Sequence, residues 1–135
     1  MAEVMLILNA GSSSLKFSIL QTDDMRRPLV RGQLEDLLGR PRFRAVDDYD
    51  RVVGEKTWNP GTQIGHVGAI EFLFHWGRGG ILAEHQIIAA GHRVVHGGRE
   101  FTQPVRIDAA VLTELEALVP MAPLHQPHSL AAIRA

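Results

Sequence analysis

The segment "LILNAGSSSLKFSIL", residues 6–20, constrains the fold more than any other part of the chain. An apolar run ends at Asn9, and after three serines Leu15, Phe17 and Ile19 alternate with polar residues. An apolar run, a Gly-Ser turn and a period of two are typical of two antiparallel strands joined by a tight turn. We therefore expect a β-hairpin whose turn carries three hydroxyl groups.

The turn of this hairpin suggests anion binding. Successive backbone N–H groups with serine hydroxyls beside them form a cradle for an anion such as phosphate, and Lys16 adds positive charge. The segment is not a Walker P-loop, because it lacks the first glycine of that motif and leads into a strand. Asn9 offers a side-chain oxygen for a hydrated Mg²⁺. An ordinary polar turn is the alternative, and Gly-Ser-Ser-Ser in isolation favours it.

The rest of the chain predicts a mixed α/β arrangement. Further strands are expected at residues 29–34, 42–46 and 51–58, so the first half is mostly antiparallel sheet. Apolar residues at helical spacing predict a helix over residues 64–76 that stops at Gly77.

The last third of the chain predicts two further helices. Asp108 caps an amphipathic helix that Pro120 ends, with three leucines inward: Leu112, Leu115 and Leu118. Pro127 opens a last, short helix with no C-terminal cap, and we therefore expect the chain to be the N-terminal part of a longer one.

Composition limits the class of protein. The chain has 135 residues, 45% hydrophobic and 21% charged, which suits one globular domain. A net charge of -1 argues against nucleic acid or an anionic membrane as a partner. The absence of cysteine excludes disulfides and thiolate metal sites. The N-terminus lacks the pattern of a signal peptide, and we expect a cytoplasmic protein.

A second segment, "HQIIAAGHRVVHGG", reads as a β-branched strand. A strict period of two places Ile87, Gly91, Arg93 and Val95 on one face. Because an unpaired buried guanidinium is costly, Arg93 must reach solvent or pair with an anion. Arg93 and Val95 could then hold a carboxylate and a methyl group.

The alternative for Arg93 is a structural salt bridge. Glu100 and Asp108 both follow within reach along the chain, and by residue type alone this alternative is equally good.

Three segments together, "ILNAGSSSLKF", "GHRVVHGGREFT" and "APLHQPHSL", resemble the acetate kinase family in order and separation. The likeness runs from Val4 to the end, although residues 21–86 carry no diagnostic motif. It implies an actin-like, Hsp70-like ATPase fold of the ribonuclease H-like type, with a mixed sheet, an N-terminal antiparallel hairpin and flanking helices. Family members have two lobes around a cleft, so residues 1–135 would form a single N-terminal lobe without the second, nucleotide lobe.

The resemblance also implies an activity and roles for the hairpin. The activity is reversible, Mg-dependent phosphoryl transfer from ATP to acetate, giving acetyl phosphate and ADP, in a homodimer. Asn9 would lie near the metal, and Ser12, Ser14 and Lys16 near the nucleotide phosphates.

The other two segments would bind the acyl group. By the same resemblance, Arg93 pairs with the carboxylate or acyl phosphate, Val95 and Leu124 line the methyl pocket, and His125 bonds to the phosphoryl group in flight. Family members commonly have His-Asn-Pro where this chain has Gln126 after His125.

The chemistry agrees with this reading. Acetate is already ionised at neutral pH, so the site needs cations and N–H donors and no general base. Paired carboxylates and a Ser-His-Asp pattern are both lacking. Positioning two reactants supplies roughly 7 to 11 kcal/mol of a barrier, and half a cleft cannot position both. We therefore expect this chain alone to be inactive.

Three other readings remain. A metal could bind the histidine pairs His92 with His96 and His125 with His128, although the first pair lacks a nearby carboxylate or cysteine ligand. A half-domain of this kind could bind an acyl phosphate or a partner protein without catalysis. Propionate or butyrate kinase is the close enzymatic rival, because one methylene discriminates by only about 1 to 3 kcal/mol.

Overall fold

The described part of the chain forms one six-stranded sheet with helices against it. The computed structural model describes residues 2–24, 27–94, 98, 103–121 and 126–134. The strands are β1 (Ala2–Ala10), β2 (Leu15–Gln21), β3 (Val30–Glu35), β4 (Arg42–Asp47), β5 (Val52–Thr57) and β6 (His85–His92). Their order across the sheet is β5-β4-β3-β2-β1-β6.

Within the described ranges, three α-helices accompany the sheet. They are α1 (Gly65–Arg78), α2 (Ala109–Glu116) and α3 (Gln126–Arg134), with short 3-10 turns at Ile81–Ala83 and Val119–Met121. Residues of α1 and α3 belong to the same apolar core as one face of the sheet. Among the described residues, no helix is long and apolar enough to cross a bilayer.

The predicted hairpin is confirmed. β1 and β2 are antiparallel, and Asn9 pairs with Lys16 and Ala10 with Leu15 at the turn. Leu15 is wholly buried while Lys16 is exposed, as the alternation predicts. The hairpin therefore has its most buried apolar residues toward the helices, and its other face carries Asn9, Lys16 and Ser18 together with Met5, Ile7 and Leu20.

The antiparallel first half is confirmed as well. The meander continues from β2 through β3 and β4 to β5, within two residues of the predicted bounds. Aromatic rings fill the space between this meander and α1. Phe43 lies 6.3 Å from Phe17, 5.1 Å from Trp76 and 4.9 Å from Phe72, measured between ring centroids. Such contacts between rings stabilise the core beyond the area that they bury.

β6 runs parallel to β1, and this is the only parallel pair among the described strands. It pairs with β1 from Ala2↔His85 to Leu8↔His92, and α1 provides the crossover that a parallel pair requires. The carboxyl ends of β1 and β6 therefore lie side by side. This arrangement brings the hairpin turn close to Arg93, the residue after β6.

The predicted face alternation of β6 is wrong at one point. Val4 pairs with Ile87, but Met5 pairs with Ala89, so Ile88 is an extra residue. An inserted residue reverses which face the following residues occupy. Ile87 accordingly packs against the core, whereas Gly91 lies against Ile7 on the opposite face. Val95, predicted on the same face, lies outside the described residues.

The helices follow the sequence with small differences. α1 continues to Arg78 and ends at Gly79, two residues beyond the predicted stop, because Gly77 is buried against Leu82. The predicted cap of α2 is confirmed: the Val111 N–H donates to Asp108 Oδ1 at 2.8 Å.

The leucines of α2 are only partly as predicted. Leu115 is buried, but Leu112 is half-buried and Leu118 lies beyond the end of the helix at Glu116. The helix ends four residues before Pro120, which lies in the 3-10 turn that follows.

The last helix is confirmed, beginning one residue earlier than predicted. Gln126, its first residue, is wholly buried, and its Nε2 donates to the Leu115 carbonyl at 3.2 Å. This bond joins α3 to α2.

The sheet's close packing predicts the effect of Gly32→Ala. A Cβ at Gly32 would lie 2.5 Å from the Arg44 carbonyl oxygen and 2.9 Å from the Ala45 Cα, and backbone cannot move aside as a side chain can. We expect a loss of about 1–3 kcal/mol in the free energy of unfolding, measured with urea. Gly79→Ala is the control, since its Cβ would have 3.7 Å to the nearest atom. Equal stability of the two variants would contradict this packing.

Candidate active site

The serine turn, residues 11–14, closes on itself. The Gly11 N–H donates to the Ser14 carbonyl at 2.8 Å, which makes the turn tight. Ser12 and Ser13 are exposed and Ser14 is half-buried. A Cβ at Gly11 would lie 2.5 Å from Ser14 Oγ, so the absence of a side chain at Gly11 makes room for that hydroxyl.

The carbonyl groups of the serine turn are held from the protein side. His66 Nε2 donates to the Gly11 carbonyl at 2.6 Å, and the Leu37 N–H donates to the Ser13 carbonyl at 2.9 Å. In the described part of the chain, no backbone bond uses the N–H of Ser12 or Ser13. A turn that has its acceptors occupied and donors free attracts an anion.

Asn9 and Lys16 lie side by side at the base of the serine turn. They are directly opposite each other in the β1–β2 ladder, on the face away from the helices. Opposite residues have Cβ atoms roughly 4.5–5.5 Å apart. Asn9 is half-buried and Lys16 exposed, so an amide group and an ammonium group lie together at the base of the serine turn.

The side chains near the serine turn suit Mg²⁺ only when the ion is already bound to a phosphate group. Among the described residues, no group of three or more His, Cys, Asp or Glu side chains could hold a metal ion. Asn9 supplies one neutral oxygen, and the neighbouring Lys16 repels a bare cation. Mg²⁺ keeps several waters and commonly binds through substrate phosphates, so Asn9 suits contact with the metal or its water in a nucleotide complex.

Arg93 reaches the same end of the sheet from β6. Its backbone N–H donates to the Leu8 carbonyl at 3.1 Å, and its side chain is exposed. The structural alternative of an ion pair with Asp108 is wrong, because the Asp108 carboxylate caps α2 and no ion pair joins it to Arg93. The other alternative partner, Glu100, lies outside the described residues.

The third predicted segment is described only from Gln126 onward. Leu124 and His125, like Val95, lie outside the described residues. The first turn of α3 nevertheless lies close to the serine turn, because the His128 ring stacks on His66 with 4.7 Å between centroids.

Of the predicted site residues, the structure brings together Asn9, Ser12, Ser14, Lys16 and Arg93 at one end of the sheet.

Sequence reasoning missed His66. It is the second residue of α1, 8% exposed, and its bond to Gly11 spans 55 positions of the chain. A buried histidine needs a hydrogen-bond partner, but nothing in a helix pattern names the partner. The available signal was a polar residue on the buried face of an apolar helix.

His92 is a second histidine at this end of the sheet, half-buried at the end of β6. Among the described residues, its Nδ1 is buried without a hydrogen-bond partner. Burial lowers the pKa of His92 from its ordinary value of 6.5, so the ring is neutral at pH 7. The proposed metal partner, His96, lies outside the described residues.

The sheet order and the site define a class. The antiparallel strands β3-β2-β1, the parallel β6 beside β1 and the serine turn after β1 match the sheet of an actin-like ATPase fold. Solved structures agree. This chain resembles a propionate kinase from Francisella tularensis with a TM-score of 0.81 and 29% identity, covering 98% of this chain and 33% of that one. It resembles the Porphyromonas gingivalis acetate kinase with a TM-score of 0.79 and 27% identity, over 98% and 33%.

The family follows from sequence comparison. The model of the acetokinase family matches residues 4–135, and the chain belongs to this family. An acetate kinase from Rhodopseudomonas palustris is 38% identical over all of this chain and 34% of its own length. One from Streptomyces coelicolor is 39% identical, over 96% of this chain and 31% of its own. The chain thus spans about a third of the curated relatives it matches.

The packing of Ser14 Oγ on Gly11 predicts the effect of Gly11→Ala. A methyl group there must displace the Ser14 hydroxyl, since the two would lie 2.5 Å apart, while the backbone stays in place. We expect weaker binding of pyrophosphate with little loss of stability, measured by amide shifts in NMR titration and by urea unfolding. Ser13→Ala, which removes an exposed hydroxyl from the same turn, is the control. Unchanged pyrophosphate affinity in Gly11→Ala would contradict this role.

The half-buried His92 predicts a pH dependence of stability. Because its pKa is lowered in the folded state, the unfolded chain binds a proton that the folded chain does not as the pH falls below 6.5. The free energy of unfolding should therefore decrease as the pH falls through this window. His92→Gln should lose part of that decrease in urea unfolding at a series of pH values. A variant as acid-sensitive as the wild type would show that His92 is not responsible.

Proposed function

We propose that this chain carries the N-terminal part of an acetate kinase site, which transfers a phosphoryl group reversibly from MgATP to acetate. One observation carries the proposal. The serine turn with Asn9 and Lys16, and Arg93 from β6, lie at adjacent carboxyl ends of two parallel strands. The family match covers both segments.

The serine turn is the proposed phosphate site. Ser12 and Ser14 supply hydroxyls and N–H groups, and Lys16 supplies charge to the phosphates of ATP or ADP. Asn9 accepts a bond from the Mg²⁺ hydration shell or contacts the ion itself. When bound, the metal would neutralise part of the phosphate charge, which reduces the repulsion of an incoming carboxylate.

Arg93 is the proposed carboxylate site. A guanidinium presents paired donors that match a carboxylate or an acyl phosphate. Its exposure leaves it open to a small ligand. By family resemblance, Val95 and Leu124 line the pocket for the methyl group, and His125 donates a hydrogen bond to the phosphoryl group during transfer.

The chemistry these groups perform is electrostatic. Two anions must approach, and the transferred phosphoryl group carries its charge on three oxygens in the transition state. Cations and preorganised N–H groups on one side of that charge lower the barrier without moving a proton. The described residues supply such groups from one side only.

The identity of the acid stays open between acetate and propionate. The curated relatives are named acetate kinase, and one similar solved structure is a propionate kinase. We propose acetate because the branched bulk of Val95 and Leu124 favours a short acid. Butyrate is a more distant candidate.

A half-domain that binds an acyl phosphate or a partner without catalysis is the second candidate. What favours it is that the described residues present anion-binding groups on one wall and no second wall. In either case we propose a cytoplasmic protein, with homodimers formed by the full-length family member.

The one-sided site predicts that this chain alone makes no acetyl phosphate at a useful rate. Without a second wall, ATP and acetate are not held together, and roughly 7 to 11 kcal/mol of positioning is lost. A hydroxamate trap with MgATP and acetate should give no signal above that of boiled protein. Steady ATP-dependent product that Arg93→Ala abolishes would overturn the expected inactivity.

A further inference from the structure

We propose that His66 is a positioning residue for the phosphate-binding turn and that it couples this turn to the start of α3. The inference rests on the proposed function of the serine turn and adds a residue to it. His66 contacts neither proposed substrate; it acts through Gly11 on one side and His128 on the other.

The contact with the turn is short and buried. His66 is 8% exposed, and its Nε2 lies 2.6 Å from the Gly11 carbonyl. A carbonyl only accepts, so Nε2 carries the hydrogen. A buried hydrogen bond of this kind is costly to lose, because the carbonyl is left without a donor.

The bond fixes the direction of the turn's peptide groups. With the Gly11 carbonyl directed at His66, the N–H of the same peptide unit, which belongs to Ser12, is directed away from it. The Leu37 N–H holds the Ser13 carbonyl in the same way, at 2.9 Å, and so orients the N–H of Ser14. His66 and Leu37 together orient two N–H groups of the turn, those of Ser12 and Ser14, toward the proposed site of the anion.

The ring of His66 also contacts α3. It stacks on the His128 ring at an angle of 27° between planes, two residues after the helix begins at Gln126. The third family segment, residues 122–130, includes the start of that helix as well as Leu124 and His125. One side chain therefore contacts both the proposed phosphate turn and the third family segment.

Variants of the 135-residue chain test the positioning role. His66→Leu removes the donor, and His66→Gln retains an N–H donor at a similar reach. His75→Leu, an exposed histidine on the same helix, is the control. Two readouts are used: pyrophosphate affinity from the amide shifts of residues 11–14, and hydrogen exchange of the Leu37 amide, whose bond to the Ser13 carbonyl reports opening of the turn.

We expect His66→Leu to weaken pyrophosphate binding about 3- to 10-fold and to speed Leu37 exchange, as the loss of one buried hydrogen bond implies. His66→Gln should recover most of both, and His75→Leu should change neither. His128→Ala should alter the amide shifts of residues 11–14 through the loss of stacking.

The outcomes separate the inference from the proposed function. The wild-type chain could fail to bind pyrophosphate while His66→Leu still speeds exchange of the Leu37 amide. That result would contradict the proposed phosphate site but support the positioning role of His66. If a folded His66→Leu binds pyrophosphate like the wild type and exchanges Leu37 at the wild-type rate, the positioning role is overturned. Failure of Gln to recover either readout would also overturn it.

Discussion

The parallel pairing of β1 with β6 is the constraint on which the candidate site depends. The antiparallel strands β2 to β5 all lie on one side of β1, where Leu37, which follows β3, reaches the serine turn; β6 alone among the described strands lies on the other side. The register Leu8↔His92 brings Arg93 beside the end of β1, although the two segments are far apart in sequence. A parallel pair also requires a crossover, and the crossover helix α1 supplies His66 to the same end of the sheet.

The electrostatics of this end of the sheet follow from which backbone groups are already occupied. Carbonyls of the serine turn accept bonds from His66 and Leu37, so the turn presents donors outward. Lys16 and Arg93 approach from different strands and are both exposed. Two cations and several N–H groups around one point suit a reaction whose main difficulty is repulsion between anions. The chain is about a third of its relatives' length. For turnover it would need further groups that position the substrates from the opposite side.

Much of this arrangement is predictable from local patterns. Alternation around Leu15 and Phe17 predicts the hairpin, and the acid before an apolar run predicts Asp108 as a cap, because both depend on neighbours in sequence. The bulge at Ile88 was not predictable, because the side-chain alternation within one strand does not show where that strand has an extra residue relative to its partner. His66 was missed for a related reason: its partner, Gly11, is brought near by the sheet and helix packing, and no local pattern encodes that distance.

The central claim is that the serine turn and Arg93 form one anion site, and NMR mapping of pyrophosphate binding to the 135-residue chain tests it most directly. The account predicts that the amides of residues 11–14 and of Arg93 shift along a single saturable curve with one dissociation constant. Shifts confined to other basic residues, such as Arg31 and Arg44 on the outer face of the sheet, would contradict the account. So would curves with different affinities for the turn and for Arg93.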